Sequence, residues 1–528
     1  MGSTAATRTR PPRSSTRLLR ATCTLVVALQ AAVGTQAAPS SPANGQPFDF
    51  SALQKRAESL AQNPYKAPET PVPEVLRRID FDTHQSIQFV DRCTLWHKKR
   101  DRFPVQLFHM HQHAPHPVRL ERLSNGAAEP VRYDPECFDF GDTGLADQLP
   151  EGLGYAGFRV LHPPPMTTDW LAYQGASYFR SAGPLDQYGL SARGIAVNTA
   201  LPQGEEFPQF TRFWLEQPDA TNRFVVYALL DGPSLAGAYR FVWQRPETGP
   251  ISAEVDAVLF PRQAIDRLGI APLTSMYWYG EGDRHRGDDW RPEVHDNDGL
   301  ALHTGSGERI WRPLINPRQV RTSSFFDNNP RGFGLMQRDR AFVHYEDDGA
   351  FYERRPSLWI EPIGAWGEGA VQLVEIPTEG EIHDNIVAYW VSAGSAQPGQ
   401  RLHYRYRMEW TGVPDIPDTI GRVVHTRTGR PGIPGTSVEQ IPPGRRFVVD
   451  FAGGAFNDMP QRFDLVPQVS TSHGTVTNAY SLRVVGTKRW RAVFDLHYTG
   501  EEPVDLRLHL KDGDRHLTET WLYQYLPG

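Results

Sequence analysis

The sequence predicts an all-β protein with two domains, and three observations support this fold class. Glycine (46) and proline (45) are both abundant among the 528 residues, which is typical of a chain with many turns. Several segments alternate apolar and polar residues with the period of two that a half-buried strand requires. The chain is also longer than one hydrophobic core usually serves, so we expect two folded domains.

Residues 1–37 have the pattern of a cleavable signal peptide. Five arginines precede the apolar run TCTLVVALQAAVG, and the small residues TQAAPSS follow it. Thr35 and Ala37 occupy positions −3 and −1 of the expected cleavage site. None of these arginines are adjacent, which favours the general secretory (Sec) route over the twin-arginine route. No later stretch reaches the roughly 18 apolar residues that a membrane-spanning helix needs.

One helix is predicted at the start of the mature chain. Ser51, followed three residues later by Gln54, resembles a capping box. Pro64 is expected to end the helix. Its apolar face would consist of Leu53, Ala57 and Leu60.

Most of the remaining chain is predicted to be strand and turn. RFVVYALLDGPSLAGAYRFVW has two β-rich runs around a turn, the pattern of a hairpin. RWRAVFDLHY and VDLRLHLKDGDRHLTETWLYQYL alternate in the manner of a small β-sandwich. Two prolines in GVPDIPD indicate a linker at 412–418. We therefore expect a large domain over 46–411 and a small domain over 419–528.

Charge and cysteine content limit the choice of partners. Removal of the signal peptide takes away five arginines and no acids, so the net charge goes from −6 to −11. Such an acidic chain argues against a nucleic-acid or anionic-lipid partner and is compatible with a neutral sugar. Cys93 and Cys137 remain and can form one disulfide in an oxidising compartment, although spacing alone does not establish the bond.

No metal site or other cofactor is expected. HMHQH would place His109, His111 and His113 on one strand face. Three neighbouring ligands on one strand surround an ion poorly, so we interpret them as ordinary surface histidines. The DNDG stretch fails as a calcium loop because Val294 and Gly305 replace the required acids. If 293–298 is extended, Asp296 and Asp298 share a face, but from this stretch alone we favour an Asx-turn before Gly299.

Asp384 is the most informative acidic residue. In EIHDNIVAYW, a period of two places it on the same face as apolar neighbours, within what reads as a buried strand. An ionised carboxylate there would lose hydration, so it should be paired, hydrogen-bonded or protonated. A protonated carboxyl is what a general acid needs, whereas a structural aspartate held by backbone amides is the alternative. The apolar neighbours are Ile382, Ile386, Ala388 and Trp390.

Long strings in the chain resemble the periplasmic glucans biosynthesis proteins G and D (the OpgG/OpgD, or MdoG/MdoD, family). These strings include AQNPYKAPETPVPEVLRRIDFD, GASYFRSAGPLDQYGLSARGIAVNTALPQGEEFPQFTRFWLEQP, LGIAPLTSMYWYGE, RPEVHDNDGLALHTGSGERIWRPL and RRPSLWIEPIGAWGEGAVQLVEIPT, and they occur in the family's order. Residues 412–528 resemble the family's smaller domain more loosely. The missing twin-arginine signal is more typical of protein G than of protein D.

The resemblance implies a large galactose-mutarotase-like β-sandwich followed by a small immunoglobulin-like β-sandwich. It implies periplasmic action on osmoregulated glucans with a β-1,2-linked glucose backbone, for example as an anomer-inverting endo-β-1,2-glucanase. The family's general acid falls on Asp384. Its general base falls on Asp296, with Asp298 as the second choice. Glu381 and Tyr352 fall nearby, in proton-relay or sugar-holding roles.

Three functions are compatible with this resemblance. The first is a glycoside hydrolase that trims the glucan, which we favour. The second is a transglycosylase or cyclising enzyme that uses the same site. The third is a non-catalytic glucan-binding partner of a membrane glucan synthase, and fold alone does not decide among the three.

Overall fold

Nearly all regular structure in the described residues is β-strand, so the predicted all-β class is confirmed. The computed structural model describes residues 45–67, 73–97, 102–150, 152–163, 168–218, 222–412, 419–432, 435 and 443–527. The predicted signal peptide lies outside these residues, as does the predicted linker except for Gly412.

Two large, mostly antiparallel sheets form the body of the protein. The larger has 15 strands, in spatial order Gln46–Pro47, Ala127–Pro130, Arg119–Ser124, Gln209–Glu216, Arg223–Asp231, Leu235–Gln244, Ile251–Pro261, Leu402–Thr411, Ser357–Pro362, Gly332–Met336, Gly299–His303, Arg309–Pro313, Thr520–Tyr525, Val504–His509 and Gln468–Thr471. The smaller has 10 strands: Arg321–Asn328, Glu368–Glu375, Ile386–Ser392, Leu268–Ser275, Ser191–Arg193, Tyr178–Ser181, Asp169–Gln174, Gly157–Leu161 and Val105–Phe108 in order, with Ile195–Val197 pairing beside Leu268–Ser275.

Aromatic side chains fill the space between the two large sheets. Trp170 of the 10-stranded sheet meets Trp243 of the 15-stranded sheet with ring centroids 5.9 Å apart. Phe179 and Trp410 repeat this contact across the sheets at 6.2 Å. These rings are almost completely buried, so the abundance of aromatic residues serves the core first. The predicted hairpin lies in this sandwich, where Arg223–Asp231 pairs antiparallel with Leu235–Gln244.

The predicted helix is present but begins two residues earlier than expected. It covers Phe50–Ala61, and its N-cap is Asp49, whose carboxylate accepts a hydrogen bond from the Ala52 N–H at 2.7 Å. The capping box at Ser51 was therefore wrong, because Asp49 already satisfies the first free N–H group. Leu53 and Ala57 are buried as predicted. Two shorter helices follow, Glu74–Arg77 and Phe81–Ser86.

The C-terminal part forms a second, smaller sandwich. Its outer layer is a four-stranded sheet of Arg422–Gly429, Gly444–Ala452, Trp490–His497 and Thr475–Arg483. Its inner layer is the last three strands of the 15-stranded sheet, and Phe447 and Trp521 meet between the layers at 5.9 Å. Thr520–Tyr525 pairs in parallel with Arg309–Pro313, which joins this sandwich to the large sheet. The immunoglobulin-like type and the domain boundary stay predictions.

Cys93 and Cys137 are joined by a disulfide with a Cα–Cα distance of 5.6 Å. The bond closes a loop with a sequence separation of 44 residues, next to the two-stranded sheet of Gln88–Phe89 and Phe138–Asp139. Closing such a loop reduces the conformational freedom of the unfolded chain. The remaining short pairs are Tyr277–Tyr279 with Val294–His295, and Lys511–Asp512 with Arg515–His516.

A buried ion pair connects the two large sheets. Arg312 belongs to the 15-stranded sheet and Glu375 to the 10-stranded sheet, and the guanidinium donates to the carboxylate at 2.9 Å. The other Glu375 oxygen accepts the Ile315 N–H at 2.9 Å. Both side chains are almost inaccessible to solvent, so each charge depends on the other.

We predict that Glu375→Gln destabilises the protein, because it leaves the buried Arg312 charge uncompensated. The expected decrease in the free energy of unfolding is about 3–5 kcal/mol, measured by urea denaturation at neutral pH. Glu129→Gln is the matched control, since Glu129 pairs with Arg122 at 3.1 Å on the surface. That control should cost less than about 1 kcal/mol. Equal stability of the two variants would contradict the role of the pair.

Candidate active site

Asp384 lies at the start of a strand and not within one. The strand begins at Ile386, Asp384 is exposed, and the Ile382 side chain is 85% exposed. The predicted buried strand face therefore begins only at Ile386, and its extension back to Ile382 was wrong. The cause is Asn385, whose side-chain amide takes the hydrogen bonds that a continuing strand would make.

Asn385 fixes the backbone directly after Asp384. Its side-chain oxygen accepts the Tyr277 N–H at 2.8 Å, and its NH2 group donates to the carbonyls of Tyr277 and Ile376, both at 2.9 Å. The Asn385 backbone N–H donates to the Ser275 carbonyl at 3.0 Å. These bonds bind three segments at one point, so the position of Asp384 is well determined although its side chain is open.

The surroundings raise the pKa of Asp384 to about 6. The largest cause is that neighbouring protein reduces the hydration of the carboxyl, and the negative charge of Asp296 acts in the same direction. Arg193, Arg180 and Arg355 act in the opposite direction. Asp384 therefore carries a proton in much of the population at mildly acidic pH.

Asp296 follows the short strand Val294–His295 and is 3% exposed. Its N–H donates to the Met276 carbonyl at 2.9 Å, which fixes its backbone next to the strand Tyr277–Tyr279. The carboxylate accepts a hydrogen bond from the Arg355 guanidinium. Burial raises the pKa of Asp296, whereas the positive charge of Arg355 counteracts this effect. Asp296 is thus a carboxylate whose ionised form depends on one arginine.

Tyr352 and Glu381 extend this cluster. The Tyr352 hydroxyl donates to the Glu381 carboxylate, and the Arg355 guanidinium lies 4.1 Å from the centroid of the Tyr352 ring. Arg291 donates to both Glu381 oxygens, at 2.9 and 3.1 Å. Burial and the hydrogen bond to Glu381 raise the pKa of Tyr352, so this hydroxyl keeps its proton. Asp289 and Asp347 also pair with Arg291, at 2.9 and 2.8 Å.

Asp298 does not belong to this cluster. Its carboxylate accepts the N–H groups of Arg338 and Asp339 at 3.0–3.1 Å, so it is a structural aspartate held by backbone amides. Burial nevertheless raises its pKa to about 6. The condition for a face shared by Asp296 and Asp298 is not met, because extended pairing ends at His295 and the next strand starts at Gly299.

The three histidines of HMHQH have different surroundings. The preceding strand ends at Phe108, so the predicted common strand face was wrong. His113 is exposed as expected, but the surface interpretation was wrong for His109, which is buried and hydrogen-bonded to the Met110 carbonyl at 2.7 Å. His111 contacts the Gln174 side chain at 2.9 Å.

Sequence reasoning missed the arginines and several aromatic residues of the site. Arg193 lies over the rings of Tyr178 and Phe207, at 4.8 and 5.6 Å from their centroids. Its guanidinium also donates to the Thr274 hydroxyl at 2.8 Å and to Glu205 at 2.5 Å. No local pattern marks these residues, because each acquires its meaning from segments distant in the chain.

Exposed aromatic rings flank the cluster. Phe207, beside Arg193, is 50% exposed, and Trp290, beside Arg291, is 67% exposed. Flat apolar rings next to charged donors are suited to bind sugars, since a sugar offers an apolar ring face and hydroxyl groups at its edge. Among the described residues, no helix has both the length and the apolar character needed to cross a bilayer.

These features define a class of protein, a β-sandwich with a carboxylate-lined site beside exposed aromatic rings. The family model described as "Periplasmic glucan biosynthesis protein, MdoG" matches residues 48–525. The chain belongs to this family, and its membership supports a part in periplasmic glucan synthesis.

Named relatives agree with this assignment. The chain is 46% identical over 511 residues to "Probable glucans biosynthesis protein D" of Shewanella oneidensis, which covers 96% of this chain and 93% of that protein. It is 47% identical over 488 residues to "Glucans biosynthesis protein D" of Stenotrophomonas maltophilia, covering 91% and 90%. It is 47% identical over 500 residues to "Glucans biosynthesis protein D 2" of Ralstonia nicotianae, covering 92% of each. All three relatives are named protein D, whereas the missing twin-arginine signal in residues 1–37 is more typical of protein G.

We predict that Asp384→Asn makes the protein more stable at about pH 8 and leaves its stability unchanged at about pH 4. The folded-state pKa of about 6 lies above the ordinary value of 3.8, so the wild type loses stability as the pH rises between these values. The Asn side chain of the variant is uncharged at every pH, so the variant does not pay this cost. Thermal unfolding of wild type and variant at both pH values measures the effect.

The control for this prediction is Asp147→Asn, at an exposed aspartate outside the cluster. It should shift the melting temperature equally little at both pH values. A variant of Asp384 that is no more stable than wild type at the higher pH would show that the carboxylate is well solvated.

Proposed function

We propose that the protein is an anomer-inverting endo-β-1,2-glucanase that acts in the periplasm on the backbone of osmoregulated glucans. One observation carries the proposal. Asp384 is an open carboxyl with a pKa of about 6, and part of this increase comes from the charge of Asp296, a buried carboxylate that is paired with Arg355. Inverting hydrolysis needs two carboxyl groups in different protonation states. Family membership supports glucan as the substrate.

In this mechanism Asp384 is the general acid. It donates its proton to the glycosidic oxygen as the bond between that oxygen and the anomeric carbon breaks. A water molecule attacks the anomeric carbon from the opposite face and transfers a proton to Asp296, the general base. The products are two shorter chains, and the new reducing end has the inverted configuration.

The surrounding groups support these two roles. Arg355 favours the ionised form of Asp296, which a base must have. Tyr352 and Glu381 form a hydrogen-bonded pair beside Arg355, where they hold the guanidinium and bind hydroxyl groups of the sugar. Phe207 and Trp290 provide surfaces on which glucose rings stack.

The two other functions predict different products from linear β-1,2-glucan. A transglycosylase would use the same acid and base but pass the anomeric carbon to a sugar hydroxyl, giving rings or branched chains. A binding partner of a membrane synthase would leave the glucan intact. Product size by chromatography and anomeric configuration by NMR distinguish all three, and open, shorter chains with inverted configuration are expected.

We predict that Asp384→Asn and Asp296→Asn each lower kcat on linear β-1,2-glucan by about 10³-fold, because each removes one proton-transfer group and keeps its shape. Binding of glucan by the variants should stay within a few-fold of wild type, as measured by calorimetry. Asp147→Asn is the control and should keep full activity. Wild-type turnover in the Asp384 variant would refute the acid role, and in the Asp296 variant it would refute the base role.

We also predict the basic limb of the pH profile. Because Asp384 must be protonated to act, kcat/KM should fall above pH 6, by about tenfold per pH unit. Initial rates on linear glucan across the range in which the protein stays folded test this expectation. A constant kcat/KM between about pH 6 and pH 8 would assign the proton donor to another group.

A further inference from the structure

An acidic cavity, separate from the candidate active site, lies between the large sandwich and the C-terminal four-stranded sheet. Its volume is about 50 Å³, and the four-stranded sheet contributes Val423, His425 and Thr426 to its wall. Five carboxylates line it: Glu281, Asp283, Glu293, Asp298 and Asp339. Such a concentration of buried acid requires compensating positive charge or bound protons.

The cations at the wall compensate only part of this charge. Arg338 is already taken by Glu519, to which it donates at 2.6 and 3.1 Å. Glu281 is paired with His425 and Arg427, both at 2.9 Å. Asp298 is satisfied by backbone amides, as described above. Among the ion pairs of the described residues, Glu293 and Asp339 have only histidine partners, His295 at 3.0 Å and His344 at 2.5 Å. Asp283 has no cationic partner there and accepts hydrogen bonds from Tyr277 and Gly280.

Asp283 provides an independent indication of a missing ligand. Its Oδ1 accepts from the Tyr277 hydroxyl at 3.0 Å and from the Gly280 N–H at 2.9 Å. Its Oδ2 is buried and has no hydrogen-bond partner, and the residue as a whole is only 6% exposed. Asp283 belongs to the wall of the cavity, and a buried carboxylate oxygen without a donor is costly unless a cation or a proton compensates it.

Glu293, Asp339 and His344 have the spacing of metal ligands. One ligand atom from each lies within 4.8 Å of the others. His344 contacts Asp339 at 2.5 Å, a hydrogen bond whose proton a bound ion would replace, and its side chain is 35% exposed, which gives access from solvent. Behind Glu293, His295 contacts the carboxylate at 3.0 Å and Gln337 at 3.1 Å, the kind of support that orients a ligand.

We propose that Glu293, Asp339 and His344 bind one divalent transition-metal ion, and that Asp283 adds an acceptor on the wall of the same cavity. One imidazole and two carboxylates favour Zn²⁺ and its neighbours over Mg²⁺ and Ca²⁺, which prefer all-oxygen sites. The ion is structural, because the Asp296 carboxylate is directed to Arg355 and is not one of its ligands. It joins the segment 339–344 to Glu293, directly before the strand Val294–His295, and it does not depend on the proposed glucanase activity.

The test is Zn²⁺ binding by the purified protein after treatment with EDTA and removal of any affinity tag. Titration calorimetry should show one equivalent bound with micromolar or tighter affinity, and Zn²⁺ should raise the melting temperature. His344→Gln and Asp339→Asn should each weaken binding by at least about tenfold. Co²⁺ in place of Zn²⁺ should give visible absorption bands that His344→Gln abolishes.

The matched control is His403→Gln. His403 also contacts an aspartate, Asp256, at 2.7 Å, but this pair lies on the surface with side chains 41% and 26% exposed. The control variant should bind Zn²⁺ as wild type does. The proposal is overturned if the wild type binds no stoichiometric Zn²⁺, or if His344→Gln, shown to be folded by circular dichroism, binds as tightly as wild type.

Discussion

The ion pair between Asp296 and Arg355 is the interaction on which the candidate site depends. A carboxylate that is 3% exposed stays charged only beside a fixed cation, and Arg355 is that cation. The Asp296 charge then raises the pKa of Asp384, so one pair influences the protonation of both candidate groups. Arg355 in turn lies on the Tyr352 ring, which connects the pair to Glu381 and Arg291.

The scaffold places these groups where the two large sheets meet. Asp384 precedes a strand of the 10-stranded sheet, whereas Asp296 precedes Gly299–His303 of the 15-stranded sheet. Their relative position therefore depends on the packing between sheets, which the Trp170–Trp243 contact and the buried Arg312–Glu375 pair maintain. A shift of one sheet against the other would separate the two carboxyl groups, so the stability of the core and the geometry of the site are linked.

Chemically identical side chains have different properties here because their surroundings differ. Asp298 is held by backbone amides, Asp296 by a guanidinium, and Asp384 by no hydrogen bond among the described residues, although all three have raised pKa values. Only Asp384 combines a raised pKa with an open side chain. This combination costs stability, and such a cost is expected where function has been favoured over stability.

The sequence by itself determined the all-β class, the first helix and its buried face, the 223–244 hairpin, and the family with its candidate acids. Turns, caps and strand alternation depend on residues close in the chain, so local patterns reveal them. Only the tertiary structure decided that Asp384 lies outside its strand, that Asp298 is structural, and that Arg355 pairs with Asp296. Those outcomes depend on hydrogen bonds and charges between distant segments, such as the contact of Asn385 with Tyr277 across 108 residues, and no local pattern encodes them.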